Sequence, residues 1–135
     1  MSNFVDFFAV NIQQPEEVSV KVSKRLPAFK IKPLKEEEMA AIRKAATKRY
    51  KNKAGTWETY IDHEAFQLEM VTKSVVIPDF NNAELQEAWE AIGSTNLIRK
   101  MLLGGEFGEL VNQVYEVSGY LPEEIDELID EVKNE

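Results

Sequence analysis

The stretch VSVKVSKRLPAFKIKPL, residues 18–34, decides whether this chain is all-helical or mixed. Val18, Val20 and Val22 alternate with Ser19, Lys21 and Ser23, which is the period of a strand with one buried face. Beyond a turn around Pro27, Phe29 and Ile31 alternate with Lys30 and Lys32. Residues 17–33 therefore read as a β-hairpin with a basic outer face. Strand faces that bind nucleic acid carry stacking aromatics among the basic groups, and here Phe29 falls on the apolar side. The hairpin reads as packing material, and nucleic acid is not an expected partner.

Outward from the hairpin the periodicity becomes helical. In KEEEMAAIRKAATKR three Glu lie in a first turn and Lys44, Lys48 and Arg49 in a last one, the order a helix dipole favours, so a helix is expected over 35–48. Residues 52–55 carry a turn signal and Thr56 to Tyr60 are β-prone, which leaves a loop or a second small hairpin. Asp62 is a fitting N-cap for a helix over 62–77 that Pro78 stops. His63, the one histidine, stands beside Asp62 and Glu64, but neighbours in a first turn point in different directions and an exposed histidine is expected, not a metal ligand.

The second half repeats one device. Over 82–92, Leu85, Ala88, Trp89 and Ile92 form a stripe opposite Glu84, Glu87 and Glu90. Gly93 ends that helix and Ser94 caps the next, over 95–103. In RKMLLGGEFGELVNQVYEVSG, residues 99–119, Gly104 and Gly105 separate two apolar repeats. Gly104, Gly105 or both are expected to take a positive φ at the start of a helix over 105–118 that has Glu106 in its first turn. No strand precedes these glycines and no Lys-Ser or Lys-Thr follows, which excludes a phosphate loop. A last helix over 122–133 sets Ile125, Leu128, Ile129 and Val132 against an almost wholly acidic back.

The 135 residues suffice for one domain, 1–135, with 44% hydrophobic residues to build a core. No apolar run approaches a membrane span and no signal peptide is apparent, so a cytoplasmic protein is expected. Charge is polarised. Residues 21–53 hold twelve Lys or Arg against three Glu, and residues 104–135 hold ten acids against Lys133. The net charge of −8 speaks against general nucleic-acid binding. With no cysteine, one histidine, no nucleophile elbow and no dinucleotide fingerprint, the chain offers carboxylates alone for catalysis, and these lie on helix backs. No enzyme, cofactor or metal is expected. The expected fold is α+β, with five or six short helices and one N-terminal hairpin packed on them.

The order FKIKPLKEEEMAAIRKAAT, then SVVIPDFNNAELQ, then KMLLGGEFGEL resembles the phage tail assembly chaperones of the XkdN-like group, found in phages and prophages of Gram-positive bacteria. The similarity runs from about Asn3 to Gly119, and the family pattern often carries Pro where this chain has Gly104. The resemblance implies a non-enzymatic assembly factor of the bacterial host cytoplasm. Such a factor coats the tape measure protein, keeps it soluble, hands it to the tail tube protein and is left out of the virion. A homo-oligomer is compatible with that role. Candidate contacts are Trp89, Phe107, Tyr115 and Tyr120, large groups of the kind that anchor interfaces. The alternative from another class is a small acidic regulatory or inhibitor domain whose carboxylate-rich last helix mimics nucleic acid.

Overall fold

In a computed structural model of the chain, which describes residues 4–133, the opening alternation becomes β1 (Val18–Val20) and β2 (Phe29–Ile31). They pair antiparallel, Val18 opposite Ile31 and Val20 opposite Phe29. Val20, Phe29 and Ile31 enter the core. Lys30 faces out and pairs with Glu17 at 3.3 Å. The strand stops short of Val22 because the chain beyond it is held elsewhere. The Ser23 hydroxyl and the Arg25 guanidinium both donate to Glu106, far along the sequence.

The remaining elements follow as α1 (Glu36–Ala46), β3 (Thr47–Lys51), β4 (Trp57–Ile61), α2 (His63–Ser74), β5 (Val75–Ile77), α3 (Ala83–Ala88), α4 (Ser94–Met101), α5 (Gly104–Val117) and α6 (Pro122–Lys133). The class is α+β and helix-rich as expected, but the strands are spread through the chain and are not confined to an N-terminal hairpin. Both misplaced strands replace expected helix ends. The helix expected to run to 77 stops at Ser74, and β5 pairs with the second edge of β2, Ile31 opposite Val75 and Lys30 opposite Ile77 across an irregularity. Val75, Val76 and Ile77 are β-branched, and an open edge strand gives them more than another helical turn would. Ser74 locks the junction: Lys32 N–H donates to its carbonyl and its hydroxyl donates to the Lys32 carbonyl, both at 2.8 Å. In the same way α1 ends at Ala46, and Thr47 begins a strand where helix was expected to 48. Of the two readings of residues 52–60, the hairpin forms, and β3 enters it before the turn signal.

α3 is also shorter than expected. Glu90 takes a φ of 53°, Ala91 turns inward, and Ile92 is 91% exposed, so it leaves the expected stripe. Gly93, at φ 87°, occupies the N-cap position of α4, and Ser94 is its first helical residue, not its cap.

The corner after α4 contradicts the glycine expectation. Gly104 and Gly105 are the first two residues of α5 and neither has a positive φ. Leu102 and Leu103 make the bend in extended conformations, and the Glu106 carboxylate accepts the Leu103 N–H at 2.7 Å. A side chain reaching back from the third helical position fixes the helix start, so no left-handed residue is needed. α1 and α6 begin the same way, through Glu38 on Lys35 and Glu124 on Leu121. At α2 and α3, the Asp62 and Asn82 side chains cap directly.

α2 packs against α1, α4, α5 and α6 and is the centre of the helical layer. One cluster of buried residues extends from Val20 to Ile125, with Ile31, Ile42, Phe80, Leu97 and Leu110 wholly enclosed. In α6, Ile125 is buried; the side chains of Leu128, Ile129 and Val132 lie outside the described residues. Among the described residues, Glu106, 5% exposed, is the charged group in this core. Arg25 grips both its oxygens, at 2.5 and 3.1 Å, and also donates to the Met101 carbonyl at 2.8 Å. Arg25, then Ser23, then the Leu103 N–H hold the Glu106 carboxyl down at about 2. The pair ties the β1–β2 loop to the α4–α5 corner.

Candidate partner-binding surfaces

Two segments place large apolar side chains on the outside. The first is FVDFFAVNI, residues 4–12, wound into 3-10 turns at Phe4–Phe7 and Ala9–Asn11. Phe8 N–H donates to the Val5 carbonyl at 3.0 Å and the Asn11 side-chain Nδ2 to the same carbonyl at 2.8 Å, so the turns are held by bonds within the segment. Phe4 and Phe7 are each 74% exposed, and Phe8, Val10 and Ile12 are exposed beside them. Apolar groups this dense on a surface mark a place where something else sits.

The second is the arm made by β3 and β4, in register from Thr47 opposite Ile61 to Lys51 opposite Trp57. Its turn is set by Asn52, whose side-chain oxygen accepts from Ala54 N–H at 3.0 Å and Thr56 N–H at 2.9 Å, with Gly55 at φ 83°. Strand alternation puts Lys48, Tyr50, Glu58 and Tyr60 on one face and Arg49, Lys51, Trp57 and Thr59 on the other. The Tyr50 and Tyr60 rings meet edge-on at 5.8 Å, and the Arg49 guanidinium lies 4.7 Å over the Trp57 ring. The Tyr50 hydroxyl donates to Glu58; that bond raises the tyrosine pKa and lowers the carboxyl's. At the base, Lys48 pairs with Asp62 at 3.1 Å; the Ala65 N–H first, and Lys48 second, hold Asp62 below the usual carboxylate range. Both faces of the arm are exposed, including Trp57 at 56%.

The four aromatics singled out from sequence do not form one surface. Tyr115 is 2% exposed, inside the core, with the half-buried Tyr120 ring 5.3 Å away and edge-on. Burial, then Glu36, raises the Tyr120 pKa. Phe107 lines a groove of about 230 Å³ with Leu68, Ile98 and Leu102, and the Glu64–Arg99 ion pair stands at its rim. Trp89, just after α3, does not line that groove and is 37% exposed. His63 opens α2 and is half-buried where an exposed side chain was expected. Among the described residues, no group of three His, Cys, Asp or Glu is placed to hold a metal ion, and no helix is long and apolar enough to cross a membrane.

Sequence reasoning passed over Phe4, Phe7 and Phe8 and the rings of the arm. The signal was present in both: three Phe within five residues, and aromatics on either side of a turn, with Lys and Arg clustered before and within it.

Comparison with known proteins adds an independent line. A family model described as phage XkdN-like tail assembly chaperone protein matches residues 4–133. The phage-like element PBSX protein XkdN of Bacillus subtilis (strain 168) is 27% identical over 130 residues, covering 90% of this chain and 86% of that protein. The uncharacterized protein YqbN of the same strain is also 27% identical over 130 residues, with the same coverage. The crystal structure of YqbN superposes with a TM-score of 0.72 at 21% identity, over 90% of this chain and 99% of that one, a likeness of fold.

Proposed function

We propose, from the premise that the chain belongs to the phage XkdN-like tail assembly chaperone family, that it binds the tape measure protein, keeps it soluble and assists assembly of the tail tube. The observation that carries this reading is the exposed apolar segment 4–12, a ready cover for another protein's apolar stripe. A long amphipathic helix aggregates through its stripe unless a second surface shields it reversibly. Phe4, Phe7 and Phe8 supply such a surface, and the groove beside Phe107 can seat a side chain. Trp89 adds exposed ring area and Tyr120 a half-buried ring, whereas Tyr115 supports Tyr120 from beneath. The chain's negative charge keeps the covered complex apart from its neighbours. The work is done in the host cytoplasm without catalysis, on protein partners that include the tube protein, and the chaperone is left out of the finished virion.

Co-expression with the cognate tape measure protein tests this. The tape measure protein is expected to move from the pellet to the soluble fraction, and Phe4→Ala, Phe7→Ala and Phe8→Ala together are expected to reverse the shift. Apolar contacts should keep the complex intact in about 0.5 M salt, where exposed ion pairs are screened. Absence of rescue at every stoichiometry would overturn the reading and promote the acidic inhibitor alternative.

A further inference from the structure

We infer that the β3–β4 arm is a docking element for a second copy of this chain, and that it lies on the acidic outer face of α6 in that copy. A two-stranded ribbon is marginal by itself in water, and β3 and β4 pack chiefly on each other. Even so, the arm keeps Tyr50, Trp57 and Tyr60 in solvent.

Its charge selects the occupant. Lys48, Arg49, Lys51 and Lys53 crowd the arm and its tip. Glu58, the acid among them, is engaged inside the arm by the Tyr50 hydroxyl and by Asn52 Nδ2, at 3.1 Å for the latter. The complement is on α6, where Glu123, Glu124, Asp126 and Glu127 are all exposed while Ile125 is buried and fixes which side faces out. Arg and Lys heads can reach those carboxylates while the rings cover the aliphatic stems between them.

One copy is poorly arranged to satisfy itself. α6 begins beside the N-terminal end of α1, where Tyr120 and Glu124 share a groove with Glu36 and Met39. The arm leaves from the opposite end of α1, at Thr47, about 16 Å away for a helix of this length. The arm and the acidic face are different patches, so each copy can give one contact and receive one, either reciprocally about a two-fold axis or in a head-to-tail row. This inference rests on the arm's geometry and charge alone, not on the tape measure reading.

Sedimentation velocity of the purified chain alone tests it. At about 20 mM salt the mean sedimentation coefficient is expected to rise with concentration over about 10 to 500 μM, and at about 500 mM salt to fall back to the 15.5 kDa monomer. The double variants Arg49→Glu/Lys51→Glu and Glu123→Lys/Glu127→Lys should each associate at least tenfold more weakly. Mixed in equal amounts, they should recover association, because each reversed arm then meets a reversed helix. Circular dichroism checks that both fold. If either does not, carbodiimide coupling of mixed light and heavy-isotope wild-type chains is expected to join Lys51 or Lys53 of one copy to Glu123, Glu124, Asp126 or Glu127 of another. A wild type that stays monomeric at every concentration and salt overturns the inference. So does an arm-reversed variant that associates normally, a mixture without recovery, or coupling confined to single copies. If arm reversal abolishes tape measure capture while the wild type alone remains monomeric, the occupant is that protein and the inference is likewise overturned.

Discussion

The three-stranded sheet β1–β2–β5 and the two-stranded arm β3–β4 are both rich in β-branched and aromatic residues, and both carry Lys side chains. Only the first has helices behind it. Ile31 in the centre of the sheet is wholly enclosed, whereas all but Ile61 of the arm's strand residues are exposed. Strand pairing and burial are thus separate events: a pattern of period two says that a face exists, and the neighbouring elements decide whether anything covers it. A covered face is scaffold. An uncovered one that keeps its aromatics is a surface for another molecule.

That contrast can be broken most easily at the sheet. Ile31→Ala should cost about 2 to 5 kcal/mol in urea unfolding, through lost burial and the cavity left behind. A loss below about 1 kcal/mol would mean that the sheet is no better backed than the arm. Next comes the tie between the β1–β2 loop and α5, where Glu106→Gln removes the acceptor charge that Arg25 and Ser23 hold. The Glu106 carboxyl lies at about 2 when folded, against 4.5 as its ordinary value, so the unfolded chain takes up the proton first as the pH falls. Its stabilisation is complete above about pH 4.5 and fades toward pH 2. Thermal melts should therefore show a gap in Tm between wild type and Glu106→Gln that is full at pH 7 and closes over that interval. Smaller still is Gly55→Ala at φ 83° in the arm's turn, expected to loosen the arm by about 1 kcal/mol. Faster amide exchange confined to β3 and β4, with an unchanged global Tm, would confirm that the arm opens as its own unit. Trp57→Ala should change global stability by no more than about 0.5 kcal/mol, since its partner Arg49 is exposed too; an effect like that of Ile31→Ala would erase the contrast. Gly105→Ala, at the start of α5 with nothing within 4 Å of a new Cβ and no positive φ, should be neutral or stabilising by less than about 1 kcal/mol.

Helix starts were legible in the sequence and the helix ends at Ala46 and Ser74 were not, for a local reason. A start is written in a cap: Asp62, Asn82 and the back-reaching Glu38 and Glu124 all act within three residues of the position they mark. The ends at Ala46 and Ser74 depend on strand partners remote in sequence, and no window on Thr47 or Val75 contains them. The corner at Gly104 misled because glycine permits a positive φ without demanding one, and Glu106 made it unnecessary. At the surface, size and aromatic character pointed to Trp89, Phe107, Tyr115 and Tyr120, on or beside the helical stripes, but a stripe marks the inward side, and Tyr115 duly went in. The exposed rings at Phe4, Phe7, Trp57 and Tyr60 lie outside helical stripes, where that rule cannot see them.

β2 sits between an early strand and a late one, and the order of synthesis gives that position a consequence. As the chain leaves the ribosome, β1 and β2 can pair at once, but the other edge of β2 has no partner until Val75–Ile77 emerge behind α1, the arm and α2. For that interval the nascent protein displays Phe29 and Ile31 on a ribbon with an unfilled backbone edge, the condition in which strands recruit a stranger. This member of a tail assembly chaperone family is itself born with a sticky side, and it closes that side only once about half its length has been made.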